Sequence, residues 1–444
     1  MPSIGLIRNL AGLNEQALFG RAFTGTKELI EDYTRTVTEL LAMIGTADEQ
    51  QMTYQQKAEF FRDTRQCFGR TALVLHGGST FGACHLGVMK TLNEHGLLPR
   101  VICGSAVGAL MASLICIHTD DELPDIFLPG GINLEAFMRV GSKGSVRRKL
   151  ARFLKQGYLM DVQILENCVR SNVGDMTFEE AYARTKRILN ITVSSTRRLH
   201  VPQLLNHLTA PNVLIWSAAC ASASMMGIYK SADLLAKDVH GNIVPWTPTS
   251  IKWGDANPSD NQASLLARMT ELFNINHFIV SQANPLIVPF ISKGPGHGSE
   301  SISIKLRNLL GSELKHRIRQ MGQMHLLPKP ITNMFAERVS GNVTISPRLN
   351  LRDFKMLLSN PTNSLVKYWI VKGEQSTWPM LPLISNRCSI ELALDRVVVH
   401  ALIRMMLVEL ILLKERREEQ LMLTEPNGAT SKGPDKTKRT RSIH

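Results

Sequence analysis

The stretch VICGSAVGAL, residues 101–110, begins as a run of strand-forming residues and continues directly into a helix-forming run. Small residues surround the junction, because Gly104 lies two positions before Ala106 and Gly108 lies two positions after it. A sharp strand-to-helix turn of the G-x-S-x-G type requires small residues at those two positions, since its flanking backbones come close together. The spacing therefore predicts such a turn, with Ala106 at its apex.

The hydroxyl group of this stretch belongs to Ser105, one residue before the predicted apex. If Ser105 were the central residue, Cys103 and Val107 would occupy the flanking positions, and a β-branched valine is a poor fit there. The register therefore places a methyl group where a nucleophile would stand. Two interpretations remain open: a turn without a nucleophile, or a displaced Ser105 that takes over the role.

The segments around this turn have the order of an α/β protein. Residues 70–117 show the pattern strand, Gly-rich turn, helix, strand, sharp turn, helix, which predicts a mainly parallel sheet flanked by helices. A helical pattern follows at residues 178–187, and further strands are predicted at residues 188–193, 212–216 and 277–282. The functional loops of such a sheet lie at the carboxyl ends of its strands.

The chain divides by pattern into four parts. Residues 1–69 are predicted to form a helical accessory domain, residues 70–290 the α/β domain, residues 291–423 a helical region, and residues 424–444 a disordered basic tail. In the first part, six apolar residues recur at helical spacing: Leu29, Ile30, Tyr33, Val37, Leu40 and Leu41. In the third part, residues 395–420 predict a long helix, which either packs in a bundle or lies on a lipid surface.

Two further segments carry candidate chemistry. In LHGGSTFG, residues 75–82, Gly77 and Gly78 follow a predicted strand and allow backbone N–H groups to stabilise a negative charge. The segment is neither a phosphate-binding P-loop nor a dinucleotide fingerprint. In WGDANPSD, residues 253–260, Asp255 can act as the base that activates a serine.

Composition limits the classes of partner and compartment. The formal net charge of +13 favours anionic partners, and part of the excess lies in the tail. Seven cysteines fit no zinc-binding spacing and indicate reduced thiols. Neither a metal nor a cofactor is expected. The first thirty residues lack a secretory signal, and the uncharged stretches 101–119 and 208–229 are rich in small residues, which favours a buried core over membrane spans.

Together these segments resemble the patatin-like phospholipase family, and within it the intracellular triacylglycerol lipase branch of fungi and plants. The resemblance covers most of the chain in order, including FFRDTRQCFGRTALVLHGGSTFGACHLGVMKTL, HGLLPRVICGS, TFEEAYARTKRILNITV, APNVLIWSAACAS and ELFNINHFIVSQANP. It implies a modified α/β-hydrolase sheet and ester hydrolysis by a serine–aspartate dyad. By position, the backbone of Gly77, Gly78 and Ser79 would form the oxyanion hole, Ala106 would stand at the serine position, and Asp255 would be the general base.

The chain departs from the family pattern at its site. Ala106 replaces the serine, Ala256 stands where a glycine often follows the aspartate, and Asp260 is a poor substitute base in the altered loop. No histidine has the His-x4-Asp spacing of an acyltransferase. The resemblance implies a catalytically impaired lipid hydrolase, or alternatively an active one that uses Ser105 with Asp255.

The resemblance also implies the partners and the location. The expected ligands are triacylglycerol or phospholipid, and no nucleic acid is expected. The expected location is intracellular, on the surface of a lipid droplet or the endoplasmic reticulum membrane, with an active lipase paralogue as a further partner.

Overall fold

A six-stranded sheet forms the centre of the computed structural model. The model describes residues 25–128, 130–135, 162–193, 203–224, 232–246, 261–284, 341–356 and 362–424, with isolated positions at 12, 13, 18, 19, 288, 309, 311, 313, 316, 317, 320, 321 and 324. The strands of the sheet are β1 Arg70–His76, β2 Val101–Ser105, β3 Ile188–Val193, β4 Gln203–Leu205, β7 Ile275–Gln282 and β8 Val343–Ile345. A separate hairpin consists of β5 Leu235–Lys237 and β6 Ile243–Pro245.

The strand order is β4-β3-β2-β1-β7-β8, and every pair except β3 with β4 is parallel. The predicted fold class is confirmed: a mainly parallel sheet is flanked by helices and carries helical extensions at both ends. Because β1, β2 and β3 run in the same direction, the Gly-rich turn after β1 and the sharp turn after β2 meet at one edge of the sheet.

Helices pack on the sheet and at both chain ends. They are α1 Glu28–Thr46, α2 Tyr54–Phe68, α3 Cys84–Glu94, α4 Val107–Ile117, α5 Leu123–Ile126, α6 Val162–Val173, α7 Phe178–Thr185, α8 Ile215–Ser224, α9 Asn261–Phe273, α10 Leu351–Lys355, α11 Asn363–Thr377 and α12 Leu381–Thr424. Short 3₁₀ turns at Ser79–Ala83 and Trp378–Met380 precede α3 and α12. Helices α2 and α7 each begin with a capping box, at Thr53 and Thr177, which satisfies the first free N–H groups.

The two ends of the chain pack against each other through α1, α2 and α12. Their shared apolar cluster consists of Leu41, Phe61, Phe68, Ile390, Ala393 and Leu394. Beside it, the Arg65 guanidinium donates to Asp395 Oδ1 at 2.6 Å and to Glu391 Oε1 at 3.1 Å. Buried carboxylates need such partners, because an unpaired buried charge is costly.

The structure differs from the sequence expectations at three elements. Residues 212–216 do not form a strand of the sheet, since Val213 and Leu214 make isolated bridges and α8 begins at Ile215. Strand β8 joins the sheet from within the segment expected to be mainly helical. On α1, Leu29 and Leu40 are exposed, whereas Ile30 and Leu41 are buried.

The two uncharged stretches lie in the core where they are described. Residues 101–119 form β2 and α4, and α8 in the second stretch is buried along almost its whole length. Among the helices that the structure describes, none combines the length and apolarity needed to cross a bilayer.

Candidate functional site

The turn between β2 and α4 has the geometry that the two glycines predict. Ala106 lies between the end of the strand at Ser105 and the start of the helix at Val107, with φ 54° and ψ −125°. A positive φ is strained for a residue with a side chain, and such strain is typical of a sharp strand-to-helix turn at a hydrolase site. The Ala106 N–H donates to Ser222 Oγ on α8 at 3.0 Å, which fixes the apex from behind.

The flanking glycines allow the backbones on either side of the apex to approach. A Cβ at Gly104 would lie 2.5 Å from Ala109 Cα, and a Cβ at Gly108 would lie 2.2 Å from the Leu75 carbonyl oxygen. Real Cβ atoms are essentially never found that close to another atom. Both positions therefore require glycine for steric reasons.

The Gly-rich turn after β1 adjoins this apex. Gly77 has φ 76° and Gly78 has φ 130°, and Ser79 starts the 3₁₀ turn that leads into α3. A Cβ at Gly78 would lie 2.5 Å from Gly82 Cα and 3.6 Å from the Cβ of Val107, the residue after the apex. The backbone of this turn is thus packed against the start of α4.

The Ser105 hydroxyl has a partner other than the Gly-rich turn. The register of β1 and β2 places His76 beside Ser105 at the ends of the two strands. The Ser105 Oγ lies 2.7 Å from His76 Nδ1, and the imidazole is almost fully buried. Ser105 is thus a regular strand residue in a serine–histidine pair, whereas Ala106 occupies the apex.

The second histidine near the turn, His85, holds the Gly-rich turn to the neighbouring strand β7. Its Nδ1 lies 2.7 Å from Ser281 Oγ. Burial lowers the pKa of His85 to about 3; a hydrogen bond with the Gly77 backbone opposes this effect, and the charge of His76 adds to it. The imidazole is therefore neutral at physiological pH and contacts β7 without an uncompensated charge.

Three contacts of the site were not found from the sequence. Ser222 lies on α8 and Ser281 on β7, and the sequence analysis assigned neither of them a role. The partnership of Ser105 with His76 depends on the β1–β2 register. No motif marks these residues, because each acts through a contact between segments that lie far apart along the chain.

The proposed base lies outside the part of the chain that the structure describes. Asp255, Ala256 and Asp260 all fall in residues 247–260, which are not described. Their roles remain those implied by the resemblance. Of the sequence-derived site, the described structure brings together Gly77, Gly78, Gly104, Ser105, Ala106 and Gly108.

The apex of the turn has no group that can form a bond to a carbonyl carbon. The family resemblance assigns the backbone of Gly77 and Gly78 to the oxyanion hole, where amides would favour an anionic oxygen in a tetrahedral intermediate. The apex supplies only the Ala106 methyl group. Nucleophilic catalysis requires a hydroxyl, thiol, amine or carboxylate at that point.

Comparison with known proteins gives consistent matches. A family model described as patatin-like phospholipase matches residues 73–247, and one described as a domain of unknown function (DUF3336) matches residues 3–66. Triacylglycerol lipase ptl1 of Schizosaccharomyces pombe is 36% identical over 393 residues, which cover 88% of this chain and 71% of the relative. Triacylglycerol lipase 5 of Saccharomyces cerevisiae and triacylglycerol lipase SDP1L of Arabidopsis thaliana are each 36% identical over 88% of this chain.

These relatives are longer than this chain, to different extents. The chain covers 55% of triacylglycerol lipase 5 and 50% of SDP1L, so it spans about half the length of these two relatives. Among solved structures, the type III effector protein ExoU matches 72% of this chain and 54% of its own, at 13% identity and a TM-score of 0.29. That likeness is too weak to inform the function.

Proposed function

Because the chain belongs to the patatin-like family of triacylglycerol lipases, we propose that it binds triacylglycerol or phospholipid in a lipase-type site and has lost ordinary dyad hydrolysis. The observation that carries this proposal is the methyl group of Ala106 at the apex of the strand-to-helix turn. The relatives are named triacylglycerol lipases, and the ligand class is transferred from them.

The chemistry follows from what each part of the dyad supplies. In the family's cycle a serine hydroxyl attacks the lipid ester, and water then releases the acyl-enzyme. Without that hydroxyl, only binding and the oxyanion nest remain, and in a serine protease these supply roughly 10³–10⁴-fold acceleration over water. The loss of the nucleophile there costs about 10⁶ in kcat. Because residue 106 is alanine, Asp255 has no hydroxyl to activate at that position. We therefore expect no hydrolysis by the dyad mechanism.

A second candidate function is ester hydrolysis through Ser105. The observation that favours it is the 2.7 Å contact between Ser105 Oγ and His76 Nδ1, because a serine beside a histidine is the usual arrangement of an activated nucleophile. Against it stands the position of Ser105 in the strand rather than at the apex. Hydrolysis by this route requires the turn to rearrange.

Release of fatty acid from a triolein emulsion separates the two functions. We compare the native chain with Ala106→Ser and Ser105→Ala, after confirming by circular dichroism that all three are folded. The proposal predicts that Ala106→Ser raises the rate by at least about a thousandfold, while Ser105→Ala leaves the native rate unchanged. Native hydrolysis that Ser105→Ala abolishes would contradict the proposal and establish the second candidate.

We also propose that the protein lies peripherally on lipid droplets or on the endoplasmic reticulum membrane, where an active lipase paralogue would be its partner. The net charge of +13 supports attraction to an anionic surface. From Val399 onward, α12 carries apolar side chains that are each at least half exposed: Val399, Ile403, Met406, Leu407, Leu410, Ile411 and Leu413. Large exposed apolar patches are typical of interaction surfaces.

Flotation of cell lysates tests this location. The double variant Met406→Glu/Leu410→Glu should leave the droplet fraction, because the two carboxylates cannot enter an apolar surface. The matched control is Leu40→Glu on α1, an exposed leucine outside this run, and it should float like the native chain. Equal flotation of all three chains would contradict the proposed surface.

A further inference from the structure

A cavity lies at the amino ends of the parallel strands, whereas the strand-to-helix turn lies at their carboxyl ends. It has a volume of about 230 Å³ and is lined where three parallel strands begin, at Arg70, Val101 and Ile188. The apex at Ala106 lies at the carboxyl ends of the same strands. The two sites are therefore separated by the length of the sheet, and the cavity belongs to no part of the lipase-type site.

Three cationic side chains that line this cavity have no acidic partner among the described residues. Arg70, Arg100 and Lys186 are all exposed, and within the described part of the chain none of them makes an ion pair or a side-chain hydrogen bond. The Lys186 ammonium lies 5.4 Å from the centre of the Tyr182 ring, also in the lining. The donors of all three cations are thus available to a ligand.

The carboxylates in the wall are already engaged. Glu391 accepts hydrogen bonds from Arg65, from the Thr71 N–H at 3.0 Å and from the Thr71 hydroxyl, and Asp395 accepts from Arg65. The lining holds four cations against these two carboxylates, so its net charge is positive. The carboxyl end of α7 adds a partial negative charge that is smaller than this excess.

Lys186 occupies a backbone position that does not suit it. It caps α7 with φ 56°, in the left-handed region where glycine or asparagine is favoured. A lysine there is strained by the backbone, and its side chain forms part of the cavity lining. Glycine or asparagine would fit this backbone better, but neither would supply the positive charge of Lys186.

From this geometry we infer that the cavity binds the phosphate group of a small anion. Guanidinium groups match phosphate oxygens in a bidentate manner, and a lysine adds a point charge. The volume lies below the roughly 300–1,000 Å³ of pockets for drug-sized ligands, which suits a single headgroup. This inference is independent of the proposed function, because it concerns binding at a different site.

The phosphate can belong to a lipid or to a soluble molecule. Val398 and Val399 of α12 also line the cavity, and Val399 begins the exposed apolar run of that helix. A lipid could therefore place its phosphate in the cavity and its acyl chains along α12. A soluble phosphomonoester would use the cavity alone.

Two probes with the same headgroup distinguish these sources in the full chain. Glycerol 3-phosphate is titrated by calorimetry, and vesicles of phosphatidylcholine with or without phosphatidic acid are tested by co-sedimentation. The variants are Lys186→Asn and Arg100→Gln. Asparagine suits the backbone at position 186, so Lys186→Asn should melt at or above the native temperature. The matched control is Lys367→Asn on α11, an exposed lysine outside the cavity.

We expect each cavity variant to weaken binding about tenfold, as the loss of one charge-assisted hydrogen bond predicts, and Lys367→Asn to have little effect. Binding of glycerol 3-phosphate supports a general phosphate site, and binding of phosphatidic acid vesicles alone supports a lipid headgroup site. The inference is overturned if the native chain binds neither probe. It is also overturned if Lys186→Asn binds like the native chain, or if Lys367→Asn weakens binding equally.

Discussion

At the level of single residues, Ala106 has the strained backbone of a sharp strand-to-helix turn and carries only a methyl group. A side chain at positive φ costs of order 1–3 kcal/mol, and this cost persists because the surrounding chain fixes the turn. The Ser222 hydroxyl and the close approaches at Gly104 and Gly108 provide that constraint. The strain is therefore a property of the fold and does not depend on catalysis.

This strain predicts that Ala106→Gly destabilises the fold less than an alanine-to-glycine change in a regular helix does. Ala106→Gly relieves the backbone strain but loses a buried methyl group and gains chain entropy on unfolding. We expect the free energy of unfolding to change by less than about 1 kcal/mol in either direction. Ala112→Gly, at a fully buried position within α4, should lower it by about 1–2 kcal/mol. Urea unfolding compares the two, and an equal loss would contradict the strain.

The buried histidines predict how stability depends on pH. Burial lowers the pKa of His85 and His277 to about 3, with the charge of Arg387 adding to the effect at His277. Below the unfolded pKa the unfolded chain binds more protons than the folded chain, so stability falls as pH falls from about 6.5 towards 3. Each histidine should contribute a loss of about 1.4 kcal/mol between pH 7.5 and 5.5.

Urea unfolding of His85→Gln at both pH values measures this contribution. The loss of stability on acidification should be smaller than in the native chain by about 1.4 kcal/mol. His240→Gln changes an exposed ring instead and is the matched control. An identical acid sensitivity in the native chain and His85→Gln would exclude a neutral buried imidazole at this position.

The sequence predicted the apex better than it predicted the surroundings of the apex. Gly104 and Gly108 lie within two residues of Ala106, so local spacing suffices to locate the turn. The contact of Ser105 with His76 spans 29 residues, and that of Ala106 with Ser222 spans 116. Such contacts depend on strand register and helix packing, which a single sequence does not specify.

At the scale of elements, α12 combines two different surfaces in one helix. The sequence predicted a helix at residues 395–420, and the observed helix is longer, Leu381–Thr424. Its first half packs against α1 and α2, whereas apolar residues of its second half are exposed. Bundle packing is thus observed for the part of α12 that contacts α1 and α2, whereas lipid contact by the exposed part stays a prediction.

The packing of α2 against α12 predicts different costs at two adjacent phenylalanines. Phe61 is fully buried in the cluster that joins the two helices, whereas Phe60 is 41% exposed. Phe61→Ala should lower the free energy of unfolding by about 3–5 kcal/mol, because it leaves a cavity in a packed core. Phe60→Ala should cost about 1 kcal/mol, mainly from its edge contact with Phe61. Equal costs in urea unfolding would contradict this packing.

The wrong strand prediction at residues 212–216 has a physical cause. A short apolar run is compatible with both a strand and a buried helix. Val213 pairs with Ala236 and Leu214 with Thr177 in single bridges only. The small residues that follow Ile215 favour a closely packed helix, and α8 consequently begins inside the apolar run.

In the molecule as a whole, the sheet could be predicted from local sequence signals, whereas the packing of the terminal helices could not. The α/β pattern of strands and turns predicted the parallel sheet, because each signal is local. The packing of α1 and α2 on α12 brings together residues more than 300 positions apart, as in the contact of Arg65 with Glu391 and Asp395. No local pattern encodes that pairing, so it emerged only from the structure.

A serine-directed fluorophosphonate probe reports whether the chain contains a reactive serine. The native chain and Ala106→Ser are treated with the probe, and the modified residue is located by mass spectrometry. The proposed loss of the nucleophile predicts no label on the native chain and a label at residue 106 in the variant. Labelling of the native chain at Ser105 would contradict it.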